Sequence, residues 1–174
     1  MVTEGARAFV AEFQAARGQA LFRYAYLLTG NAEDAQDLVQ DAMVSLLGRS
    51  RSDIADPNGY VRRMITNAWI SQGRRRTRFN RLRPRLVADD RTSDDGDVTA
   101  DRDLIWRMLG RLGERQRAAI VLRYYEDLSD AEVADALGCA VGTVRSLVSR
   151  GLAAMRADLE THVLPHEERE HHEP

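Results

Sequence analysis

Apolar residues return every three or four positions along most of the chain, a spacing that predicts α-helices rather than strands. The first predicted helix spans about residues 6–28. Thr29-Gly30-Asn31 separates it from the next helix, because glycine suits a helix end and Asn31 can cap a helix start. Its candidate core residues are Phe9, Phe13, Leu21, Tyr24 and Leu28.

Two further helices are predicted before residue 84. The second, about residues 32–47, is strongly amphipathic, with acidic and amide side chains opposite its apolar face. The third, about residues 58–79, follows Pro57, which a first helical turn tolerates. The apolar faces hold Ala35, Leu38, Val39, Ala42, Met43, Leu46 and Leu47 in the second helix, and Tyr60, Val61, Met64, Ile65, Ala68 and Trp69 in the third.

The periodic pattern stops at residues 84–100, where aspartates are frequent and apolar residues are few. It resumes near residue 101, with Leu104, Met108, Leu109 and Leu112 on one helix and residues 118–125 in another. We therefore predict an all-α fold of two small helical domains, residues 6–83 and 101–160. An acidic flexible linker, residues 84–100, joins them, and a disordered tail spans residues 161–174.

The segment LSDAEVADALGCAVGTVRSLVSRGLAAM, residues 128–155, predicts a helix-turn-helix. Ser129 and Glu132 form the S-x-x-E pattern of a capping box, and Gly138 ends the first helix before a tight turn. Ala140 precedes the second helix and cannot accept a first-turn hydrogen bond as serine would. The stripe expected to pack on the first helix is Val141, Val144, Val148, Leu152 and Met155.

The opposite face of this second helix carries hydroxyl and arginine side chains, the types that major-groove reading requires. Arginine can donate two hydrogen bonds to guanine, and serine or threonine can contact bases or phosphates. The alternative is an ordinary helical hairpin with a solvated basic face. The candidate DNA contacts are Thr143, Arg145, Ser146, Ser149 and Arg150.

Composition narrows the class of protein without deciding it. The 174 residues are 44% hydrophobic and 30% charged, which indicates a folded protein, and the net charge of -2 alone does not favour nucleic acid. Every basic residue is arginine, which suits phosphate and guanine but equally fits a GC-rich genome. No apolar run approaches the ~20 residues that cross a bilayer, and no signal peptide is expected. With Cys139 as the single cysteine, we expect a cytoplasmic protein.

Three segments, read in order, resemble the extracytoplasmic function (ECF) group of bacterial RNA polymerase sigma factors, in the sigma-70 family. LTGNAEDAQDLVQDAMVSLL and PNGYVRRMITNAWISQGRRR resemble sigma region 2, and residues 101–159 resemble region 4. LFRYAYLLTGN is similar to an actinobacterial, SigE-like subgroup. The resemblance implies a factor that binds core RNA polymerase and directs promoter-specific transcription initiation by recognising −10 and −35 elements.

The resemblance assigns the second helix to core polymerase, at the β′ clamp coiled coil, and adds the β flap as a further contact. An outward acidic and amide face suits an arginine-bearing partner helix, although a solvated helix face explains it equally well. The resemblance also implies an anti-sigma factor as a partner. The residues assigned to polymerase binding are Asp34, Asp37, Leu38, Val39, Gln40 and Asp41.

The resemblance assigns the third helix to the −10 element and the loop at residues 50–56 to a pocket for an unstacked base. Trp69 could stack on a base, but its spacing from Ile65 favours the core. Ser71 stands where the family often has aspartate, so the −10 preference is expected to differ. The candidate −10 contacts are Arg62, Arg63, Asn67, Arg74, Arg75 and Arg76.

Other function classes fit the sequence less well. A stand-alone transcriptional regulator would need a sensor or dimerisation domain, and the N-terminal helices do not look like a receiver domain. An enzyme is not predicted, because no phosphate-binding glycine loop, HExxH, CxxC or nucleophile elbow is present. We expect no cofactor, metal, small-molecule substrate or membrane insertion. The acidic linker resembles the connector that threads near the polymerase active-site cleft, and a plain tether is the alternative.

Overall fold

The N-terminal part of the chain forms three helices. The computed structural model describes residues 4–49, 54–82 and 100–163. Helix α1 spans Glu4–Thr29, α2 spans Ala32–Leu47 and α3 spans Pro57–Leu82. Gly30, at φ 74°, makes the turn between α1 and α2, and the side chain of Asn31 accepts a hydrogen bond from the Asp34 N–H at 3.0 Å. The predicted cap at Asn31 is therefore confirmed.

The three helices enclose an apolar core around one polar pair. Tyr24 and Thr66 are both fully buried, and their hydroxyl oxygens lie 2.6 Å apart. The Thr66 hydroxyl donates to the Arg62 carbonyl at 2.7 Å, so Tyr24 donates to Thr66. Burial raises the pKa of Tyr24, and the phenol stays neutral. Trp69 is buried, which confirms its predicted core position.

The C-terminal part also forms a helical unit. Helix α4 spans Ala100–Gly110, and α5 spans Glu114–Ile120 and continues into a π-helical turn, Val121–Tyr125. Helix α6 spans Asp130–Leu137 and α7 spans Val141–Val163. Helices α5 and α7 meet closely at Gly151, where a Cβ would lie 2.6 Å from the Ile120 Cδ1. The buried centre of this unit contains Leu122, Val133 and Val144.

The two helical units pack against each other. Helix α3 contacts α5 and α6, while α1 contacts α5 and the π-helical turn, so the buried apolar residues form a continuous cluster. Every regular element of the described residues is helical, which confirms the all-α class. The predicted linker lies outside the described residues except for Ala100, which is already helical. Helix α7 continues past residue 160, and residues 164–174 lie outside the description.

The Tyr24–Thr66 pair generates a stability prediction. Thr66→Val keeps the side-chain shape but removes the acceptor of a buried hydroxyl, so the free energy of unfolding should fall by about 1–3 kcal/mol in urea titrations. Tyr24→Phe removes the buried hydroxyl that donates to Thr66. In that background Thr66→Val should cost much less, and equal losses in both backgrounds would contradict the account.

Candidate nucleic-acid interface

Helices α6 and α7 form the predicted helix-turn-helix. The Ser129 hydroxyl accepts from the Glu132 N–H at 3.3 Å, and the Glu132 carboxylate accepts from the Ser129 N–H at 2.8 Å. Gly138 ends α6 at φ 57°, a left-handed conformation that glycine adopts without strain. The capping box and the glycine stop that the sequence predicts are thus confirmed.

The two helices of this motif begin differently. At α6, the side-chain and then the backbone hydrogen bond of Ser129 lower the pKa of Glu132, which favours the charged capping carboxylate. At α7, the carbonyl of Ala140 accepts from the N–H groups of Thr143 at 2.9 Å and Val144 at 3.2 Å, but the alanine side chain offers no acceptor. The second helix therefore starts without a side-chain cap.

Helix α7 separates a buried face from an exposed one. Val144 is fully buried, and Leu147 and Gly151 are buried beside it. The predicted stripe is wrong at Leu152, which is 37% exposed, because the face that meets α5 turns through Leu147 and Gly151. The five predicted DNA contacts are all exposed: Thr143, Arg145, Ser146, Ser149 and Arg150.

Two arginines on this exposed face are held in different ways. The Nε of Arg145 donates to the Asp130 Oδ2 at 3.1 Å, so a residue of α6 fixes its guanidinium. The Nε of Arg150 donates to the Ser146 carbonyl at 3.1 Å, which lies on the same helix. The first arginine is thus oriented by a neighbouring element, whereas among the described residues the second is bound only to the backbone of its own helix.

Helix α3 carries a second basic face, here called the arginine face: Arg62, Arg63 and Asn67. In this structure the C-terminal unit covers part of it. Arg62 Nη1 donates to the Glu126 Oε2 at 2.7 Å, with side chains only 13% and 17% exposed. Arg63 pairs with Asp135 of α6, and both of these side chains are largely exposed, as is Asn67. The predicted contacts Arg74, Arg75 and Arg76 lie in α3, but their side chains lie outside the described residues.

A groove of about 710 Å³ lies between the arginine face and the helix-turn-helix, and residues of both line it. From the N-terminal unit it is lined by Arg49, Ile54 and Tyr60, as well as by the two arginines of α3. From the C-terminal unit it is lined by Leu122, Leu128, Glu132 and Asp135, among others. The predicted base pocket borders this groove at residues 54–56, while residues 50–53 lie outside the description.

Helix α2 divides its predicted polymerase-binding residues between two faces. Asp37, Gln40 and Asp41 are exposed, and Asp34 is half-buried in the first turn. Leu38 and Val39 are only 1% and 8% exposed, because both belong to the apolar face that packs against the other helices. Their side chains therefore do not reach the surface, and in this structure they support the exposed acidic face from beneath.

A buried arginine joins the two helical units. Arg117 of α5 is 5% exposed, and its Nε donates to the Leu27 carbonyl in the last turn of α1 at 2.8 Å. Its guanidinium carbon lies 6.0 Å from the ring centres of both Trp69 and Trp106. A cation at the carbonyl end of a helix is electrostatically favourable, and an aromatic environment excludes water around it.

Comparison with known proteins identifies the family. Two family models match in chain order: sigma-70 region 2 over residues 15–79 and sigma-70 region 4 over residues 102–155. The chain is 36% identical to the RNA polymerase sigma-E factor of Streptomyces avermitilis, over 91% of this chain and 92% of that one. The chain belongs to the sigma-70 family. It is also 32% identical to the ECF sigma factor SigL of Mycobacterium tuberculosis, over 80% of this chain and 82% of that one, which assigns it to the ECF group.

The family assignment gives the two units their names and their class of activity. The N-terminal unit contains region 2 and the C-terminal unit contains region 4, the two regions with which the family recognises promoter elements. Sigma factors are transcription initiation factors and not enzymes. No helix of the described residues is long and apolar enough to cross a membrane.

Solved structures share the fold. The sigma factor RpoE of Bartonella quintana, in complex with the anti-sigma factor NepR, superposes with a TM-score of 0.67 at 24% identity, covering 87% of this chain and 97% of that one. CnrH, in complex with the cytosolic domain of CnrY, gives a TM-score of 0.62 at 23% identity, covering 90% of each chain. Both are structures of a chain of similar fold in complex with a second protein.

Several residues of this interface were not predicted from the sequence. Glu126, Asp130 and Asp135 each pair with an arginine of the two exposed basic faces, and Arg117 joins region 4 to region 2. Asp130 and Asp135 lie in α6, the first helix of the helix-turn-helix, and Glu126 lies before it, at the end of the π-helical turn. A local signal exists only for Asp130 and Asp135, since carboxylates beside a helix that is predicted to bind DNA would repel phosphate.

The uncapped start of α7 generates a second prediction. Ala140→Ser supplies a side-chain acceptor to the first turn, so the free energy of unfolding should rise by roughly 0.5–1 kcal/mol. Ala153→Ser is a matched control, since Ala153 is exposed inside the same helix and serine has a lower helix propensity than alanine. If both substitutions changed the free energy of unfolding in the same direction, the missing cap would not be what limits the stability of the first turn of α7.

Proposed function

We propose that this sigma factor reads a −35 element with α7 of region 4 and a −10 element with α3 of region 2 while it is bound to core RNA polymerase. The observation that supports this proposal is the presence of two polar, arginine-bearing helix faces, one in each conserved region. In this proposal residues 6–83 bind polymerase and the −10 element, residues 84–100 connect, and residues 101–160 bind the −35 element. We also propose that it acts in the cytoplasm, where its promoter DNA lies.

The proposed −35 reader is the exposed face of α7. Arg145 is suited to a guanine edge because its guanidinium can donate two hydrogen bonds in one plane. Thr143, Ser146 and Ser149 are short, so the helix backbone can approach the floor of the major groove. Arg150, whose Nε is bound to a carbonyl of its own helix, is suited to a nearby phosphate.

The proposed −10 reader is the arginine face of α3, with Arg74, Arg75 and Arg76 further along the helix. Arginines bind phosphates, and Asn67 can form hydrogen bonds with a base edge. Arg62 and Arg63 are paired with Glu126 and Asp135 of region 4 in the isolated chain. Promoter binding therefore requires region 4 to move away, so that the two arginines exchange carboxylates for phosphates.

The proposed polymerase contact is the exposed face of α2, with Asp37, Gln40 and Asp41, and Asp34 at its start. Val44, at 66% exposure, adds an apolar side chain to the same surface-exposed helix. Carboxylates around an apolar centre fit the β′ clamp coiled coil if that partner presents arginines. A second contact between region 4 and the β flap would anchor the other end of the molecule.

An anti-sigma factor is a further proposed partner. Two structures of similar fold are complexes with a second protein, and in one of them, the sigma factor RpoE of Bartonella quintana, that protein is described as an anti-sigma factor. A partner that stabilises the packing of region 4 on region 2 would keep the arginine face from DNA. Such a partner shifts the population toward the packed form if it binds that form more tightly than the form in which region 4 has moved away.

Reconstituted transcription tests the proposal. The full chain is added to the core RNA polymerase of Streptomyces coelicolor, the source of another sigma-E relative, and transcript starts are mapped on fragmented genomic DNA. The proposal expects a discrete set of starts with shared −35 and −10 sequences. Duplex DNA binding without polymerase, together with no polymerase binding, would instead indicate a stand-alone regulator.

The exposed carboxylate of Asp37 generates a prediction for polymerase binding. Asp37→Ala removes a charge from the proposed contact surface, and the dissociation constant of the chain for core polymerase should rise about 5- to 30-fold, the change expected for an interface residue that costs ~1–2 kcal/mol. Glu12→Ala removes a charge from an exposed position of α1 and is the matched control. Equal weakening by both variants would remove the α2 face from the proposal.

The Arg62–Glu126 pair generates a prediction for the exposure of the arginine face. Glu126→Gln leaves a largely buried arginine without its charged partner, which disfavours the packed arrangement relative to one in which Arg62 is solvated. The free full chain should then bind duplex DNA of arbitrary sequence roughly 3- to 10-fold more tightly at low salt. Glu12→Gln changes the net charge by the same amount and is the control. If it raised the affinity for DNA equally, the net charge alone would explain the gain.

A further inference from the structure

Asp130 connects the two helices of the helix-turn-helix at their DNA-facing edge. It is the first residue of α6, and its Oδ2 lies 3.1 Å from the Nε of Arg145. Its Oδ1 lies 3.4 Å from the Nε of Arg123, in the π-helical turn. The Arg145 side chain is 72% exposed, whereas the Asp130 side chain is 31% exposed. One carboxylate therefore connects a highly exposed arginine to a less exposed part of the unit.

The contact through Nε leaves the other end of the guanidinium available. Among the described residues, the structure gives the two terminal nitrogens of Arg145 no hydrogen-bond acceptor. A guanine edge accepts two parallel hydrogen bonds at O6 and N7, which the paired terminal nitrogens can supply in one plane. Asp130 thus accepts a hydrogen bond from the Nε of Arg145, which is the donor that this bidentate contact with guanine does not use.

An acid in the first turn of α6 is favourable at the positive end of the helix dipole, but that effect does not require the contact with Arg145. An exposed ion pair contributes little to folding because solvent screens it and because holding two side chains costs entropy. A carboxylate beside a DNA-reading helix also repels phosphates, so it opposes general affinity for DNA. The arrangement makes sense if it restricts the rotamers of Arg145 before DNA arrives, since less side-chain freedom is then lost on binding.

We infer that Asp130 is a positioning residue that sets the preference of Arg145 for guanine in the −35 element. The inference rests on the proposed function, in which α7 reads that element. Asp130 itself touches no base. Arg123, which donates to the Leu128 carbonyl at 3.0 Å as well as facing Asp130, keeps the carboxylate in place from the other side.

Removal of the Asp130 charge should change general DNA affinity and guanine preference in different ways. Asp130→Asn removes the negative charge, so binding to duplexes that lack the cognate sequence should stay equal or become tighter. The same change loosens Arg145, so the preference for guanine at one base position, about 10-fold or more for a well-made bidentate contact, should fall by about 3-fold or more. A purely structural role would weaken binding to all sequences together.

Selection from randomised duplexes measures both quantities without a known promoter. The full chain in complex with core polymerase selects from DNA whose −35 region is randomised, and base preferences are compared among wild type, Asp130→Asn, Arg145→Ala and the double variant. Asp127→Asn is the matched control, because Asp127 is exposed and its φ of 51° is one that asparagine tolerates. Thermal unfolding of each variant verifies that the fold is retained.

The outcomes separate the inference from the function on which it rests. Support requires that Asp130→Asn and Arg145→Ala lower guanine preference at the same position, that the double variant matches Arg145→Ala, and that Asp127→Asn changes nothing. If Arg145→Ala alone lowers the preference, the positioning role of Asp130 is wrong and the function stands. If Asp130→Asn lowers preference at every position equally, its role is structural. If Arg145→Ala changes nothing, the proposed reading by Arg145 fails, and the inference fails with it.

Discussion

The buried guanidinium of Arg117 is the contact on which the arrangement of this molecule depends. It links α5 of region 4 to the Leu27 carbonyl in the last turn of α1 in region 2, and it lies near two tryptophan rings, one from each region. A buried charge without acceptors is costly, so the Leu27 carbonyl and the rings help to make this packing favourable. The contacts of Arg117 therefore couple the end of α1 in region 2 to α5 in region 4.

Carboxylates of region 4 contact arginines of both proposed DNA-binding faces. Glu126 and Asp135 contact Arg62 and Arg63 from region 4, and Asp130 contacts Arg145 within region 4. The pairing at Arg62 is incomplete, because its Nε is buried with no acceptor among the described residues. A buried donor without a partner costs free energy, which makes the contact easier to exchange for phosphate oxygens than a fully satisfied one.

Local signals predicted most of the fold. The capping box at Ser129, the stop at Gly138 and the cap at Asn31 depend on neighbouring residues, so sequence order suffices to find them. Leu38 and Val39 were assigned to a partner surface although their spacing also fits the core, and burial decides for the core. Arg117 and Glu126 could not be predicted, since their partners lie 90 and 64 residues away along the chain. Such contacts depend on how two units dock, which helical periodicity does not specify.

The separation of region 4 from region 2 is the step that the account requires most. Its direct measurement is the distance between spin labels at Glu12→Cys in α1 and Ala153→Cys in α7, in a Cys139→Ser background, for the free chain and for the chain in a polymerase–promoter complex. One narrow distance distribution is expected in the free chain, and a distribution at clearly longer distances is expected in the complex. A distance that is the same in both states would contradict the account, because the arginine face would then stay paired with region 4 while DNA is bound.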